Sequence, residues 1–334
     1  MPTTQEEGKP VPPLKPEIDM DTSAWRHYHV LDLDDFTTEE IELVFSLADI
    51  MRKIIFREKD KLTILKDKTV VNLFYEASTR TRISFEAAAT NLSATVVNVT
   101  ASASSVTKGE SLLDTFTTLE ALGANIVVMR HSQPGAHYTL AKYVTANILN
   151  GGDGRHAHPT QGLLDLYTIR RHKGNLKGLK AVILGDIMHG RVAPSNVWGM
   201  SKLGMEITLC GPPTLMPLRI DKSAGVSPSV RVEYNIEAAL EGADIVMALR
   251  LQKERQQGGL LPSIHEYVQL YQLNETRLAR AKPDALVMHP GPMNEGIEIS
   301  PEVAHGTQAV IDEQVTNGVA VRMALLYLLG RSKN

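Results

Sequence analysis

The chain has 334 residues, more than one hydrophobic core usually accommodates, so two domains are expected. Its 43% hydrophobic and 22% charged residues are ordinary for a globular protein. The net charge of −3 excludes a polycationic surface for nucleic acid or an anionic membrane, so any anion site must be a local cluster of basic groups.

The single cysteine, Cys210, excludes an intrachain disulfide and is compatible with a reducing compartment. It ends an apolar run and is expected to be a buried strand residue. Residues 1–23 are Pro-rich and polar and do not have the pattern of a signal peptide. No apolar run approaches the ~20 residues that a membrane span needs. A cytoplasmic protein is therefore expected.

Helix and strand patterns alternate along the first half. Thr37 with Glu40 forms a capping-box pattern, flanked by the apolar pair Phe36 and Ile41, and predicts a helix over residues 37–56. The further predictions, in chain order, are strand 70–75, helix 81–92, strand 95–99, helix 111–122, strand 126–129, a helix around Ala141 and a short strand at Ile148.

The second half repeats this alternation. Its predicted elements are helix 161–172, strand 181–184, helix 195–203, strand 207–210, helix 236–240, strands 245–248 and 286–288, and helix 314–329. Such alternation predicts parallel sheets covered by helices on both faces, here an α/β protein with two doubly wound parallel-sheet domains. Ligands of such sheets bind at the carboxyl ends of the strands, so the residues after each strand are candidates for the site.

The turn after the first strand has the composition of a phosphate site. Ser78, Thr79 and Thr81 offer hydroxyl groups where a helix begins, and free backbone N–H groups at a helix N-terminus attract anions. Arg80 adds a planar cationic group that suits phosphate. The alternative is an ordinary helix cap with solvated arginines.

Two further turns of the first half carry basic groups. Arg130 stands at the end of the third strand, and His158 precedes a helix. The His-x-His spacing of His156 and His158 permits a metal, but no carboxylate or cysteine of fitting spacing supports it, and no metal is predicted. A neutral His158 is better suited to donate to a polarised carbonyl. The polar loop around Lys108 is, by itself, typical of a flexible surface loop.

In the second half, arginines again follow strands. Arg191 comes after strand 181–184, and Arg250 comes after strand 245–248. Two arginines at strand ends suit a ligand with two carboxylates. The segment His289-Pro-Gly-Pro292 follows the last strand and predicts a rigid turn. A GxGxxG pattern is absent, which argues against a dinucleotide, and no cofactor is predicted.

Four of these segments together resemble the signatures of the aspartate/ornithine carbamoyltransferase family. They are Phe74-Tyr-Glu-Ala-Ser-Thr-Arg-Thr-Arg-Ile-Ser-Phe-Glu86, Met129-Arg-His131, His158-Pro-Thr-Gln161 and His289-Pro-Gly-Pro292. They occur in the family's order, and the similarity spans nearly the whole chain after Tyr28. The segment from Leu249 to Arg255 resembles the substrate loop of the aspartate branch, whereas the Ser-Met-Gly and His-Cys-Leu-Pro segments of the ornithine branch are absent. Arg250 would also repel the cationic side chain of ornithine.

The resemblance implies that carbamoyl phosphate and L-aspartate react to give N-carbamoyl-L-aspartate and phosphate, the second step of pyrimidine (UMP) biosynthesis. It implies a carbamoyl-phosphate domain over residues 1–159, with a C-terminal helix over residues 312–334 packed back on it, and an aspartate domain over residues 160–311. It also implies a cytoplasmic homotrimer with shared active sites. Regulatory or dihydroorotase-type partner chains, another amine such as ornithine, and a non-catalytic scaffold remain open.

Roles for individual residues also follow from the resemblance. Carbamoyl phosphate is assigned to Ser78, Thr79, Arg80, Thr81, Ser104, Arg130, His158, Gln161, Pro290 and Gly291. Aspartate is assigned to Lys108, Arg191, Arg250, Gln252, Gly291 and Pro292. The implied catalytic residues are Arg80, Thr81, Lys108, Arg130 and His158. Ser104 and Lys108 resemble a pair supplied by a neighbouring subunit, and Glu76 resembles a residue that links the two domains through Arg191 and Arg255.

Overall fold

The computed structural model of the chain describes residues 18–56, 61–100, 110–217, 230–252, 260 and 263–331. Predictions for residues 1–17, Ser104, Lys108 and Arg255 lie outside these ranges. Within the described ranges the strands form two parallel sheets flanked by helices, so the predicted α/β class with two parallel-sheet domains is confirmed. None of the described helices is long and apolar enough to cross a bilayer.

The first sheet is built from the first half of the chain. Its elements are α1 Thr38–Ile55, β1 Thr69–Phe74, α2 Thr79–Asn91, β2 Thr95–Thr100, α3 Leu112–Ala121, β3 Ala124–His131, α4 Ala136–Leu140 and β4 Asn147–Asp153. The strands lie in the order β2-β1-β3-β4, and all neighbours are parallel. The capping box at the start of α1 is confirmed, because the Thr37 hydroxyl accepts the Glu40 N–H and the Glu40 carboxylate accepts the Thr37 N–H.

The second sheet follows in the second half. Its elements are α5 Pro159–Lys173, β5 Lys180–Leu184, α6 Val192–Lys202, β6 Glu206–Cys210, β7 Val230–Glu233, α7 Ile236–Leu240, β8 Ile245–Ala248, α8 Ile264–Tyr271, α9 Glu275–Leu278, β9 Leu286–Met288, α10 Pro301–Ala304 and α11 Ile311–Arg331. The strand order is β7-β6-β5-β8-β9, again with parallel neighbours.

Several elements differ from the sequence-based prediction. A short helix, α4, lies where one was predicted around Ala141, but it ends at Leu140 with Ala141 as its C-cap, and it begins after Gly135, whose φ of 82° is favourable for glycine. The strand β7 was not predicted, because this edge strand is only partly covered and has no buried apolar run. The helix α8 was not predicted either, and only Tyr267 and Tyr271 of its residues are buried.

The two sheets share an apolar core to which α11 contributes most of its length. This last helix packs against α1, α2 and α5, and the core continues through residues of β1 and β5. In the first sheet the chain changes direction of winding between β1 and β3, and in the second between β5 and β8. Ligand sites of such sheets lie at these switch points, at the carboxyl ends of the strands. The turns after β1, β3, β5 and β8 are therefore the places to look for a site.

Candidate active site

A cleft of about 830 Å³ lies where these four strand ends meet. It brings together most of the residues that the sequence singled out: Ser78, Thr79, Arg80, Thr81, Arg130, His158, Gln161, Arg191, Arg250, Gln252, Pro290, Gly291 and Pro292. Ser104 and Lys108 are outside the described residues. The cleft thus joins groups that are far apart in the sequence.

The start of α2 forms one wall of the cleft. Ser78 is the N-cap, with extended backbone, and Thr81 is buried in the first turn. The backbone N–H groups of this turn point out of the helix end and suit an anion. The Arg80 guanidinium extends from this turn to the turn after β9, with Nη1 3.5 Å from the Pro290 carbonyl oxygen. A Cβ at Gly291 would come within 1.6 Å of the same Nη1, so a side chain at Gly291 requires Arg80 to move.

Glu76 connects the two sheets. Its Oε2 accepts a hydrogen bond from Arg191 Nη2 at 2.6 Å and lies 3.3 Å from Arg130 Nε. Arg191 is buried and also donates from Nη1 to the Gly154 carbonyl oxygen at 3.2 Å. One carboxylate therefore contacts two cleft arginines from different sheets: Arg130 lies near the end of β3, and Arg191 follows β5. The contact between Glu76 and Arg191 matches one of the two implied domain links.

His158 is buried at the start of α5 and lines the cleft. Its backbone N–H donates to Ser195 Oγ at 2.9 Å, which fixes the residue at the helix end. Burial is the main cause that holds the pKa of His158 well below its usual value, and the charges of Arg130, Arg191 and Arg322 add to it. The lowered pKa favours the neutral form of the imidazole at neutral pH.

The opposite wall follows β8 and β5. Arg250 Nη2 donates to Gln252 Oε1 at 3.4 Å, and the Gln252 backbone N–H donates to Asp186 Oδ2 at 3.2 Å. Asp186 is fully buried and also bonds His189 Nδ1 at 2.8 Å. The turn after β5 thus supports the segment that carries Arg250.

The turn after β9 is held from within. The Gly291 N–H donates to His289 Nδ1 at 2.8 Å, so the other ring nitrogen carries the proton and faces Glu298 at 3.2 Å. The His289 backbone N–H donates to Gln314 Oε1 at 3.0 Å. These bonds fix the turn that presents Pro290 to the cleft.

Arg322, on α11, also lines the cleft and was not predicted from the sequence. Its Nη1 donates to Ser84 Oγ at 2.7 Å, and its guanidinium lies 5.0 Å from the centre of the Phe85 ring. Burial lowers its pKa to about 10, which still leaves it charged at neutral pH. The signal in the sequence was an arginine inside an otherwise apolar helix.

The cleft has a strongly cationic character and few acidic groups that face it. Its arginines are Arg80, Arg130, Arg191, Arg250 and Arg322, whereas Glu76 is its acidic lining residue. The residues that the structure describes include no group of three His, Cys, Asp or Glu side chains placed to hold a metal ion. His156 instead pairs with the buried Asp153, with Nδ1 3.0 Å from Oδ2. Such a site suits a small ligand or ligands with several negative charges.

Known proteins share this architecture. Residues 28–171 match a family model described as the carbamoyl-P binding domain of aspartate/ornithine carbamoyltransferase, and residues 177–329 match its Asp/Orn binding domain. The aspartate carbamoyltransferase catalytic subunit of Dehalococcoides mccartyi is 57% identical over 94% of this chain and 95% of its own. That of Chloroflexus aggregans is 59% identical over 90% and 98%.

Solved structures agree. Aspartate transcarbamoylase from Trypanosoma cruzi in complex with carbamoyl phosphate and aspartate superposes with a TM-score of 0.81 at 29% identity, covering 90% of this chain and 95% of that one. Ornithine carbamoyltransferase from Pyrococcus furiosus gives a TM-score of 0.81 at 27% identity, covering 90% and 96%. The chain belongs to the aspartate/ornithine carbamoyltransferase family.

Proposed function

We propose that the chain is an enzyme that transfers the carbamoyl group of carbamoyl phosphate to the α-amine of L-aspartate, releasing N-carbamoyl-L-aspartate and phosphate. One observation carries the proposal: the cleft sets the helix N-terminus at Ser78 and Arg80 on one sheet against Arg191 and Arg250 on the other. Relatives that are 57% and 59% identical carry the name of this activity. The reaction would be the second step of pyrimidine biosynthesis.

Carbamoyl phosphate is proposed to lie against the wall formed by α2 and β3. Its phosphate would be bound by Ser78, Thr79, Arg80 and Thr81, with Arg130 reaching both the phosphate and the carbonyl oxygen. Thr81 and His158 would also contact that oxygen. Gln161 and the backbone carbonyls of Pro290 and Gly291 would accept hydrogen bonds from the carbamoyl NH2 group. The N–H donors and arginines at this wall support this placement, because phosphate needs both.

Aspartate is proposed to lie against the opposite wall. Arg191 would bind its α-carboxylate, Arg250 with Gln252 its β-carboxylate, and Gly291, Pro292 and Lys108 would complete the pocket. Two guanidinium groups after two neighbouring strands of one sheet suit the two carboxylates of a single small ligand. The ammonium group of ornithine would instead be repelled by Arg250.

The reaction needs positioning and fixed charge more than proton transfer from the protein. The deprotonated amine of aspartate attacks the carbamoyl carbon, and negative charge grows on the carbonyl oxygen. The bond between the carbamoyl carbon and the bridging phosphate oxygen then breaks, its electron pair leaves with phosphate, and the departing phosphate takes up the proton that the amine loses. Arg130 and neutral His158 are proposed to stabilise that oxygen, while Arg80, Thr81 and Lys108 stabilise the leaving phosphate. A neutral His158 can donate a hydrogen bond without an added positive charge that would compete for the phosphate.

The domain boundaries and the oligomeric assembly are part of the same proposal. Strands of the first sheet end at Asp153 and those of the second begin at Lys180, which supports a carbamoyl-phosphate domain over residues 1–159 and an aspartate domain over residues 160–311. The helix over residues 312–334 would pack back on the first domain, as the contacts of α11 with α1 and α2 favour. A cytoplasmic homotrimer would supply Ser104 and Lys108 from a neighbouring subunit, alone or with regulatory or dihydroorotase-type chains.

A paired assay tests the activity. Purified protein is incubated with carbamoyl phosphate and either aspartate or ornithine, and both the carbamoylated amino acid and phosphate are measured. Stoichiometric product with aspartate and none above background with ornithine is expected. Product with ornithine alone would show that ornithine, and not aspartate, is the acceptor substrate. Binding of carbamoyl phosphate without turnover on either amine would favour a non-catalytic scaffold.

A further inference from the structure

Asp165 is a fully buried carboxylate on α5, one helical turn after Gln161. Three side-chain amides donate to it: Gln161 Nε2 at 2.9 Å and Gln314 Nε2 at 2.7 Å to Oδ1, and Asn196 Nδ2 at 2.9 Å to Oδ2. The donors come from α5, α11 and α6. The carboxylate therefore gathers amides from three helices immediately behind the cleft.

This arrangement fixes which end of each amide faces the carboxylate. An ionised carboxylate has only acceptors, so every amide must turn its NH2 group toward it. Burial raises the pKa of Asp165 to about 6, against the lowering effect of the three amide donors, which leaves the group ionised at neutral pH. The carbonyl end of each amide then points away from Asp165.

For Gln161, the direction away from Asp165 is the cleft, which this side chain lines. Among the residues that the structure describes, none donates a hydrogen bond to Gln161 Oε1. Gln314 is held in the same way, and its Oε1 accepts the backbone N–H of His289 at 3.0 Å. That bond fixes the start of the turn that carries the Pro290 and Gly291 carbonyls. Asp165 thus orients the Gln161 carbonyl oxygen directly. It orients the backbone carbonyls of Pro290 and Gly291 indirectly, through Gln314.

We propose that Asp165 is a positioning residue that turns carbonyl oxygens toward one part of the cleft and so makes the enzyme select a ligand with an amide NH2 group over one with a methyl group. The inference rests on the proposed function, because it concerns the part of the cleft assigned to the carbamoyl NH2. Carbamoyl phosphate and acetyl phosphate are the natural probes, since they differ there by NH2 against CH3 and are alike elsewhere. A methyl group cannot donate to the carbonyl oxygens and leaves them without a partner.

The main variant is Asp165→Leu, which keeps the branching of the side chain at Cγ and removes both acceptors. The Gln161 amide is then free to rotate, and its NH2 group can face the ligand NH2. The matched control is Asp165→Asn. The introduced amide is expected to keep its oxygen toward Gln161 and Gln314. In that orientation its NH2 group faces one NH2 donor, that of Asn196, whereas in the reverse orientation it would face two, those of Gln161 and Gln314.

The measurement is the ratio between the Ki of acetyl phosphate as a competitive inhibitor and the KM of carbamoyl phosphate. Loss of one neutral hydrogen bond is expected to lower this ratio about tenfold in Asp165→Leu. The ratio in Asp165→Asn is expected to stay near that of the native enzyme. In a Gln161→Leu background, Asp165→Leu is expected to lower the ratio less than it does alone, because the two residues then act through one path.

Three outcomes would overturn the proposal: equal weakening of both ligands in Asp165→Leu, an equal loss in Asp165→Asn, or an undiminished effect in the Gln161→Leu background. If circular dichroism shows that Asp165→Leu does not fold, Asp165→Ser replaces it, because its hydroxyl remains an acceptor but ends too short to hold Gln161. Absence of carbamoyl transfer by the native protein would refute the proposed function instead. Calorimetric titration with the two phosphates would still measure the discrimination in that case.

Discussion

Arg191 donates to Glu76 at 2.6 Å, so a guanidinium that follows the first strand of the second sheet is bonded to a carboxylate that follows the first strand of the first sheet. Glu76 also lies 3.3 Å from Arg130 Nε. Because charge-assisted bonds of partly buried groups are directional and strong, this carboxylate fixes both arginines relative to each other. The relationship makes Glu76 a structural link between the phosphate wall and the carboxylate wall.

Glu76→Gln is therefore expected to lower kcat/KM for aspartate by about 10- to 100-fold, the usual worth of a hydrogen bond between charged groups. The isosteric amide cannot neutralise two arginines, and Arg191 loses its fixed position. Steady-state kinetics with both substrates measure the effect. The matched control is Glu241→Gln, whose carboxylate is 69% exposed and pairs with Arg280 on the surface. Equal kinetics in the two variants would contradict the linking role.

Arg130→Ala and His158→Ala are each expected to lose about 10²–10³ in turnover, because each removes a donor to the developing oxyanion. The fold should survive, since Arg130 sits at the end of an intact strand and His158 is held by its backbone N–H. Arg280→Ala, a change at an exposed arginine outside the cleft, should leave turnover unchanged. The turnover number of each variant is measured, and circular dichroism checks that each variant is folded. Native turnover in both cleft variants would contradict the roles proposed for Arg130 and His158.

The sequence predicted the sheets and much of the cleft because both rest on local patterns. Buried runs such as that of β1, the capping box at Thr37 and the polar turn from Ser78 each appear within a few residues of sequence. Their assembly in one cleft follows from the strand order, since the carboxyl ends of β1, β3, β5 and β8 meet. The strand β7 and the helix α8 were missed: β7 has only four residues and none of them is buried, and α8 has only eight residues, of which Tyr267 and Tyr271 are buried.

Pairings across helices could not be predicted in the same way. Arg322 reaches Ser84 only because α11 packs against α2, and the two residues are 238 positions apart. Asp165 accepts hydrogen bonds from amides on α6 and α11. These helices approach α5 by packing their apolar faces, and an apolar face does not reveal in the sequence which helix it will pack against. An aspartate within a helix reads, from sequence alone, as a solvated residue. Its full burial is what gives it a role in orienting other groups.

Cys210 is expected to resist thiol reagents in the native protein. It ends β6, is fully buried, and burial raises the pKa of its thiol to about 12, so almost no thiolate forms at neutral pH. A chromogenic disulfide reagent should report no fast thiol in buffer and one thiol per chain after denaturation, since the chain has 1 cysteine. Rapid labelling under native conditions would mean that the second sheet opens readily.

The two histidines of the segment before α5 are expected to titrate differently. Burial and neighbouring arginines lower the pKa of His158, whereas the hydrogen bond to Asp153 raises the pKa of His156. In a protein with ¹³C-labelled histidine, the His158 Cε1 resonance should stay unchanged from pH 6 to 8, and that of His156 should titrate above the usual histidine value of about 6.5. Substitution of each residue by Gln assigns the signals.

The lowered pKa of His158 also determines how the unfolding free energy depends on pH. The unfolded chain protonates His158 near its ordinary pKa of about 6.5, but the native state does not, so the native state loses stability relative to the unfolded state as the pH falls below that value. Substitution by Gln, which does not titrate, should therefore flatten the decline of the unfolding free energy between pH 6.5 and 5. Denaturant unfolding of both proteins across this range measures it. A native His158 resonance that moves near pH 6.5, or an unchanged slope in the Gln variant, would show that the imidazole charges inside the cleft and would contradict a neutral donor there.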